Sequence, residues 1–164
     1  MDGIGSELLV ARKPRMADKL LRIFAYALTV LAVIAAIFIT PLAMLALIAM
    51  LLIDHFLVPR LSVEYEYTCV DGDIDIDAIY GKQRRKRMAS IAAEEIECVA
   101  RQGADVLHDF RTQKTADYSA GEADDPPWVV VVSGRGERTA YLLQMDEKMV
   151  DTLRMRVPGK VKLS

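Results

Sequence analysis

The chain has 164 residues, with 21 Lys and Arg against 23 Asp and Glu, for a formal net charge of -2. That balance excludes a general polyanion binder, and the length leaves room for one small folded domain. The two cysteines, Cys69 and Cys98, match no C-x-x-C spacing; the expectation is two free, partly buried thiols in a reducing compartment.

Residues 1–19 read as a polar, basic lead. Within it, Glu7-Leu8-Leu9-Val10 is a short amphipathic stretch able to touch a membrane. The chain then turns apolar: IFAYALTVLAVIAAIFI over 23–39, Thr40-Pro41, and LAMLALIAMLLI over 42–53, before Asp54-His55 and Pro59-Arg60. As one helix, the uncharged run 23–53 would be about 46 Å long, against a hydrocarbon core of about 30 Å. Two shorter helices, about 22–39 and 41–57, fit with slight mismatch absorbed by the bilayer or by flanking residues. Proline disfavours helix at the preceding residue and suits the first turn of the next helix. Thr40-Pro41 therefore marks the turn of a transmembrane hairpin over 20–58.

Charge placement supports the hairpin. Arg12, Lys13, Arg15, Lys19 and Arg22 flank it on one side, and Arg60, Lys82, Arg84, Arg85, Lys86 and Arg87 follow on the other. Lys and Arg collect on the cytoplasmic side of a membrane, so a hairpin keeps both clusters, and both termini, cytoplasmic. A single kinked or tilted span is the competing arrangement and would send one cluster outside. A signal peptide has a shorter apolar core ending at a cleavable small-residue site, whereas this run continues. Asp54-His55 is expected at headgroup level, and with no ionisable group inside either helix no proton pathway is read.

From residue 60 the pattern changes to period two. Val63, Tyr65, Tyr67 and Cys69 alternate with Glu64, Glu66 and Thr68, as in a half-buried strand. Asp71-Gly72 is a tight-turn signal. Asp73-Ile74-Asp75-Ile76-Asp77 begins a second strand, Gly81 begins the next turn, and residues 84–91 complete a three-stranded meander. A helical turn at 92–95 leads into a strand over 96–101; another short strand is read at 105–112, and an acidic loop at 116–127. WVVVVSGRGERTAYLLQM gives two further β segments around a turn at 133–137. Asp146 caps a helix in which Met149, Val150, Leu153 and Val157 form one apolar face, and Pro158-Gly159 stops it. The expected class is α+β: the hairpin, then a small antiparallel β-barrel or sandwich over 60–160, closed by a C-terminal helix.

Gly81-Lys82-Gln83-Arg84-Arg85-Lys86-Arg87 places five positive charges in seven residues. The preceding Asp71, Asp73, Asp75 and Asp77 invite a calcium reading, but the EF-hand pattern needs Gly at its sixth position and Glu at its twelfth. Those positions hold Ile76 and Lys82, and a solvated strand face is expected instead. If 73–80 pairs antiparallel with 83–90, acidic and basic strands lie side by side, and each opposed pair stabilises by about 0.2–1 kcal/mol. Pairing would absorb one face, read as Arg84 and Lys86, with Arg85 and Arg87 on the other, depending on register. The functional reading is contact of Lys82, Arg84, Arg85, Lys86 and Arg87 with anionic lipid, worth about 1 kcal/mol per charge. The competing reading is a plain charge-paired strand. Nucleic acid is disfavoured because no aromatic stacking platform accompanies the run.

No catalytic constellation emerges. Ser133-Gly134-Arg135-Gly136 lacks the third glycine of a dinucleotide loop, and His108-Asp109 reads as a surface pair. No metal and no cofactor are expected.

The layout resembles bacterial membrane proteins with a pleckstrin-homology-like (PH-like) domain, and more closely an uncharacterised bacterial family with two N-terminal transmembrane helices and such a domain. The resemblance rests on the hairpin 23–58, on YEYTCVDGDIDIDAIYGKQRRKRMASI over 65–91, and on LLQMDEKMVDTLRMRVPGK over 142–160. It implies a bacterial cell-membrane location and a PH-like β domain, but no particular ligand. Lipid-binding pleckstrin domains carry their phosphate-gripping residues chiefly around the first hairpin; here that turn, Val70-Asp71-Gly72-Asp73, is acidic, so inositide recognition does not carry over. The expected role is a non-catalytic scaffold or binding module at the cytoplasmic face. The alternative is an anionic-lipid surface sensor docking through 82–87, with an enzyme third. Expected partners are the bilayer, anionic headgroups, and another protein or a second copy of the chain.

Overall fold

The computed structural model describes residues 5–38, 43–121, 125–134 and 136–162. The turn expected at Thr40-Pro41 lies outside the described residues, as does Arg135 in the turn at 133–137. Two compact units are present: a helical one built from Pro14–Val63 and Tyr80–Arg84, and a β domain built from Met1–Lys13, Glu64–Ile79 and Arg85–Ser164.

In the helical unit, α1 spans Met16–Phe38 and α2 spans Ala43–Leu57. Two side-chain hydrogen bonds fix their register. Thr29 Oγ1 donates to Asp54 at 2.6 Å, and Arg22 Nη2 donates to Ser62 Oγ at 2.9 Å. Rising residue number on α1 pairs with falling number beyond it, so the helices run antiparallel as a hairpin. A 3₁₀ turn, Val58–Leu61, follows α2 directly, with Pro59 in its first positions, where a missing N–H costs nothing.

The β domain holds two four-stranded sheets. Its strands are β1 (Gly5–Ala11), β2 (Val63–Val70), β3 (Asp73–Tyr80), β4 (Arg84–Ile91), β5 (Ile96–Arg101), β6 (Lys114–Asp117), β7 (Trp128–Gly134) and β8 (Glu137–Leu143). The first sheet has the order β1-β2-β3-β4 and the second β5-β7-β8-β6. The sheets do not join into one closed barrel, and the arrangement is sandwich-like. Every β-ladder given a register is antiparallel except β6 with β8. Asp71 and Gly72 join β2 to β3 with φ of 54° and 95°, the double positive φ that a two-residue hairpin turn requires. Tyr67 of β2, fully buried, donates its hydroxyl to the Tyr118 carbonyl just past β6, tying one sheet to the other.

The core follows the alternation read from the sequence. Tyr65, Tyr67 and Cys69 of β2 and Ile74 and Ile76 of β3 point inward; Val129, Val130 and Val131 of β7 are all buried, as a run apolar on both faces demands. The last helix, α3 (Glu147–Arg156), starts at Asp146, whose side chain accepts the Met149 N–H at 2.8 Å. Met149, Val150 and Leu153, with Val157 just beyond the helix end, are buried, and α3 lies against β1.

Three expectations are corrected. The reading of 1–19 as a lead fails at Gly5–Ala11, which pairs residue by residue with β2 from Gly5↔Val70 to Ala11↔Glu64; Ser6 and Val10 are buried. The strand expected at 105–112 is instead a 3₁₀ helix, Asp105–Asp109. Val106 and Leu107, adjacent in sequence, both pack on the cluster of Cys98, Ala100, Val129, Val131 and Ala140. A strand would have sent one of them outward. Finally, β6 occupies the start of what read as an acidic loop, and it pairs with β8 in parallel.

Candidate membrane-facing site

The basic run begins in the three-residue connection between β3 and β4. Gly81 and Lys82 take φ of 57° and 59°, both left-handed. The Gly81 N–H donates to the Ser62 carbonyl at 3.0 Å, and the Gln83 N–H to the Tyr80 carbonyl at 3.2 Å. A Cβ on Gly81 would stand 3.0 Å from the Pro59 oxygen and 3.1 Å from its carbonyl carbon. The connection is therefore seated on the turn Val58–Leu61 that terminates α2, and only glycine allows so close an approach. The same Ser62 accepts Arg22 of α1 on its hydroxyl. Arg22 Nε is buried with no hydrogen-bond partner among the described residues.

The run divides into two chemically distinct parts. Arg85 pairs with Glu66 and lies 3.8 Å from Asp77. Arg87 meets both Asp75 and Asp77 at 3.0 Å. The hydrogen bond to Asp77, then the charge of Asp75, pushes the Arg87 guanidinium above its ordinary range. Lys82, Arg84 and Lys86 are exposed and pair with no carboxylate among the described residues. This reverses the pairing read from the sequence, which assigned Arg84 and Lys86 to the acidic strand. Side chains one residue apart on a strand point to opposite faces, and the face that Asp75 and Asp77 share is the one carrying Arg85 and Arg87.

The aspartates are likewise not a uniform solvated face. Asp77 is buried at 8% exposure. Asp75 accepts Ser90 Oγ at 2.6 Å, Asp73 accepts the Ala93 N–H at 2.8 Å, and Asp71 accepts Arg156 at 2.5 Å. Each carboxylate is spent on a partner within the domain, and no His, Cys, Asp and Glu grouping suited to a metal occurs among the described residues. The two cysteines are free and buried, and burial raises both thiol pKa values. His108 and Asp109 are exposed on the 3₁₀ helix Asp105–Asp109.

Sequence reasoning missed that Arg22, Arg60 and Ser62 belong with the turn at Gly81. Arg22 and Arg60 entered only as flanking charges that orient a hairpin. Their link to the turn at Gly81 runs through Ser62, forty residues beyond Arg22 and nineteen before Gly81, and no local pattern records it.

Two apolar helices in a hairpin, inserted after the first strand of a two-sheet β domain that ends in a capping helix, describe a PH-like domain carrying candidate membrane spans. A family model described as "Bacterial PH-like domain (DUF6106)" matches residues 4–163, and the chain belongs to that family. No curated protein and no solved structure matched.

Proposed function

We propose that the chain is a multi-pass, membrane-anchored, non-catalytic binding module whose PH-like domain and two termini face the cytoplasm. The observation that carries this reading is the pairing of β1 with β2. One strand precedes both apolar helices and the other follows them. Strands that share seven paired positions lie on the same side of a membrane, so the intervening helices must enter and return. A single kinked span would separate them.

The helices themselves support anchoring. The two apolar windows, Met16–Phe38 and Met44–Leu61, have none of their length buried. Core helices of a water-soluble fold are covered, whereas here Phe24, Leu31, Ile37, Phe38, Leu45 and Phe56 stand more than half exposed. An apolar surface so extensive calls for lipid or a partner. The test is a full-length chain carrying a reporter active only outside the cytoplasm, fused at either end. Carbonate-resistant membrane pelleting with both fusions inactive is expected. Recovery in the soluble fraction, or one active fusion, overturns the proposal.

A second reading, anionic-lipid contact through the basic run, is favoured by one observation: the connection carrying Lys82 is seated on the turn that ends α2. That supports a headgroup-level position for the start of the run, because an apolar helix gives way to polar chain there. Within the run, Lys82, Arg84 and Lys86 are available for such contact, while Arg85 and Arg87 are held by carboxylates.

A further inference from the structure

We infer that the chain binds one anionic phospholipid through its headgroup phosphate, at a site assembled around Ser62 from Arg22, Arg60 and Lys82; this rests on the membrane reading above. Three segments converge there. Ser62 takes the Arg22 guanidinium on its hydroxyl and the Gly81 N–H on its carbonyl. Lys82 follows Gly81 directly, and Arg60 lies in the turn Val58–Leu61 against which Gly81 is packed. These three cations pair with no carboxylate among the described residues, whereas Arg85 and Arg87, further along the chain, are neutralised.

Two details separate this arrangement from a diffuse positive surface. Arg22 reaches Ser62 with one terminal nitrogen, and its buried Nε–H has no acceptor among the described residues. A buried guanidinium donor without a partner is costly, and an incoming phosphate oxygen would satisfy it; guanidinium forks match phosphate oxygens two at a time. The second detail is Lys82 at φ 59°. Left-handed backbone disfavours every side chain but is open to glycine. A lysine held in that conformation, fixed by its neighbour against the end of an apolar helix, is a placed charge. Backbone strain of this kind concentrates at ligand clamps. The level of the site, at the polar end of both apolar helices, selects a phosphodiester of the bilayer over a free phosphate.

The test uses the full chain in a mild non-ionic detergent, with lipid adducts counted by native mass spectrometry. The probes are phosphatidylglycerol, phosphatidylcholine and glycerol 3-phosphate. One retained phosphatidylglycerol is expected in preference to phosphatidylcholine, not displaced by excess glycerol 3-phosphate. Lys82→Gly and Arg22→Gln should each weaken retention about fivefold, as expected for one headgroup-level charge, and Arg85→Gln should leave it unchanged. Lys82→Gly is informative because glycine accepts the backbone conformation at 82, so lost retention cannot be assigned to a broken turn. Equal retention of the two lipids overturns the site, as does an Arg85→Gln effect equal to that of Lys82→Gly, which would mean diffuse attraction. Displacement by glycerol 3-phosphate overturns the lipid as its source. If the chain does not fractionate with membranes at all, the anchoring proposal falls first, and the fractionation assay reports that separately.

Discussion

Replacing Gly81 with alanine tests the seat on which the basic turn rests. Gly81 has φ of 57°, and its added methyl would lie 3.0 Å from the Pro59 oxygen, 3.1 Å from the carbonyl carbon and 3.2 Å from Cβ. Those neighbours are backbone and a proline ring, neither of which swings aside. The left-handed backbone alone costs an L residue about 1–2 kcal/mol, and forcing a methyl into a filled contact adds about 1–3 kcal/mol. Gly103 separates the two effects, because it has φ of 92° with nothing within 4 Å of its would-be Cβ. Gly103→Ala should therefore show the conformational cost alone, and Gly81→Ala about 2–5 kcal/mol in total. Denaturant unfolding of the full chain in detergent, followed by fluorescence of the buried Trp128, gives both values. Amide exchange at Gly81 adds a local readout, since its N–H donates to Ser62. Equal destabilisation by the two substitutions, with no faster exchange at residue 81, would refute the seat and the headgroup-level placement of Lys82 that depends on it.

Other outcomes follow from particular contacts. Asp77→Asn removes a carboxylate shared by Arg85 and Arg87; the full chain should bind anionic vesicles more tightly at low salt, with the gain lost near 1 M salt, where screening is short-ranged. No gain would mean that those arginines face away from the lipid surface. Asp146→Ala deletes the cap on Met149 N–H and should cost about 1 kcal/mol, read from the same unfolding curves. Cys69 and Cys98 are buried, so a thiol reagent should label them only after denaturation. Burial raises the pKa of both thiols and of the Tyr67 hydroxyl in the folded state. The stability this contributes is present below the unfolded thiol pKa of about 8.5 and is lost as pH rises beyond it, because the unfolded chain then binds fewer protons than the folded one. A denaturation midpoint that stays level between pH 8 and 10 would contradict the buried placement.

Much of the architecture was legible because its signals are local. The meander of β2, β3 and β4 announces itself through alternation and through Asp71-Gly72; α3 shows its cap, its apolar face and its stop within the fourteen residues 146–159. β1 was not legible. Its exposed face carries Leu9, 58% exposed, which blurs the alternation, and its partner strand lies beyond two helices. β6 is four residues long and pairs in parallel with a strand some twenty residues onward, a connection that leaves no turn signature. The candidate site was half legible. Composition located the basic run, but which charges are spent depends on register: strand alternation offers two assignments, and only Arg87 lying beside Asp75 and Asp77 decides between them.

The placement of β1 has a consequence for biogenesis. It leaves the ribosome before both apolar helices, yet its partner β2 is made only after them. The first sheet thus cannot be completed until both helices have been synthesised and the segments on either side of them brought together. Until then β2 presents an open edge, the kind of surface that recruits a foreign strand. Under the anchoring proposed above, completion of the domain would act as a checkpoint on insertion: a chain whose helices adopted the wrong topology would strand the seven-residue β1 across the bilayer from its partner β2. An N-terminal fusion bulky enough to obstruct Gly5–Ala11 should imitate that failure even when insertion itself is correct.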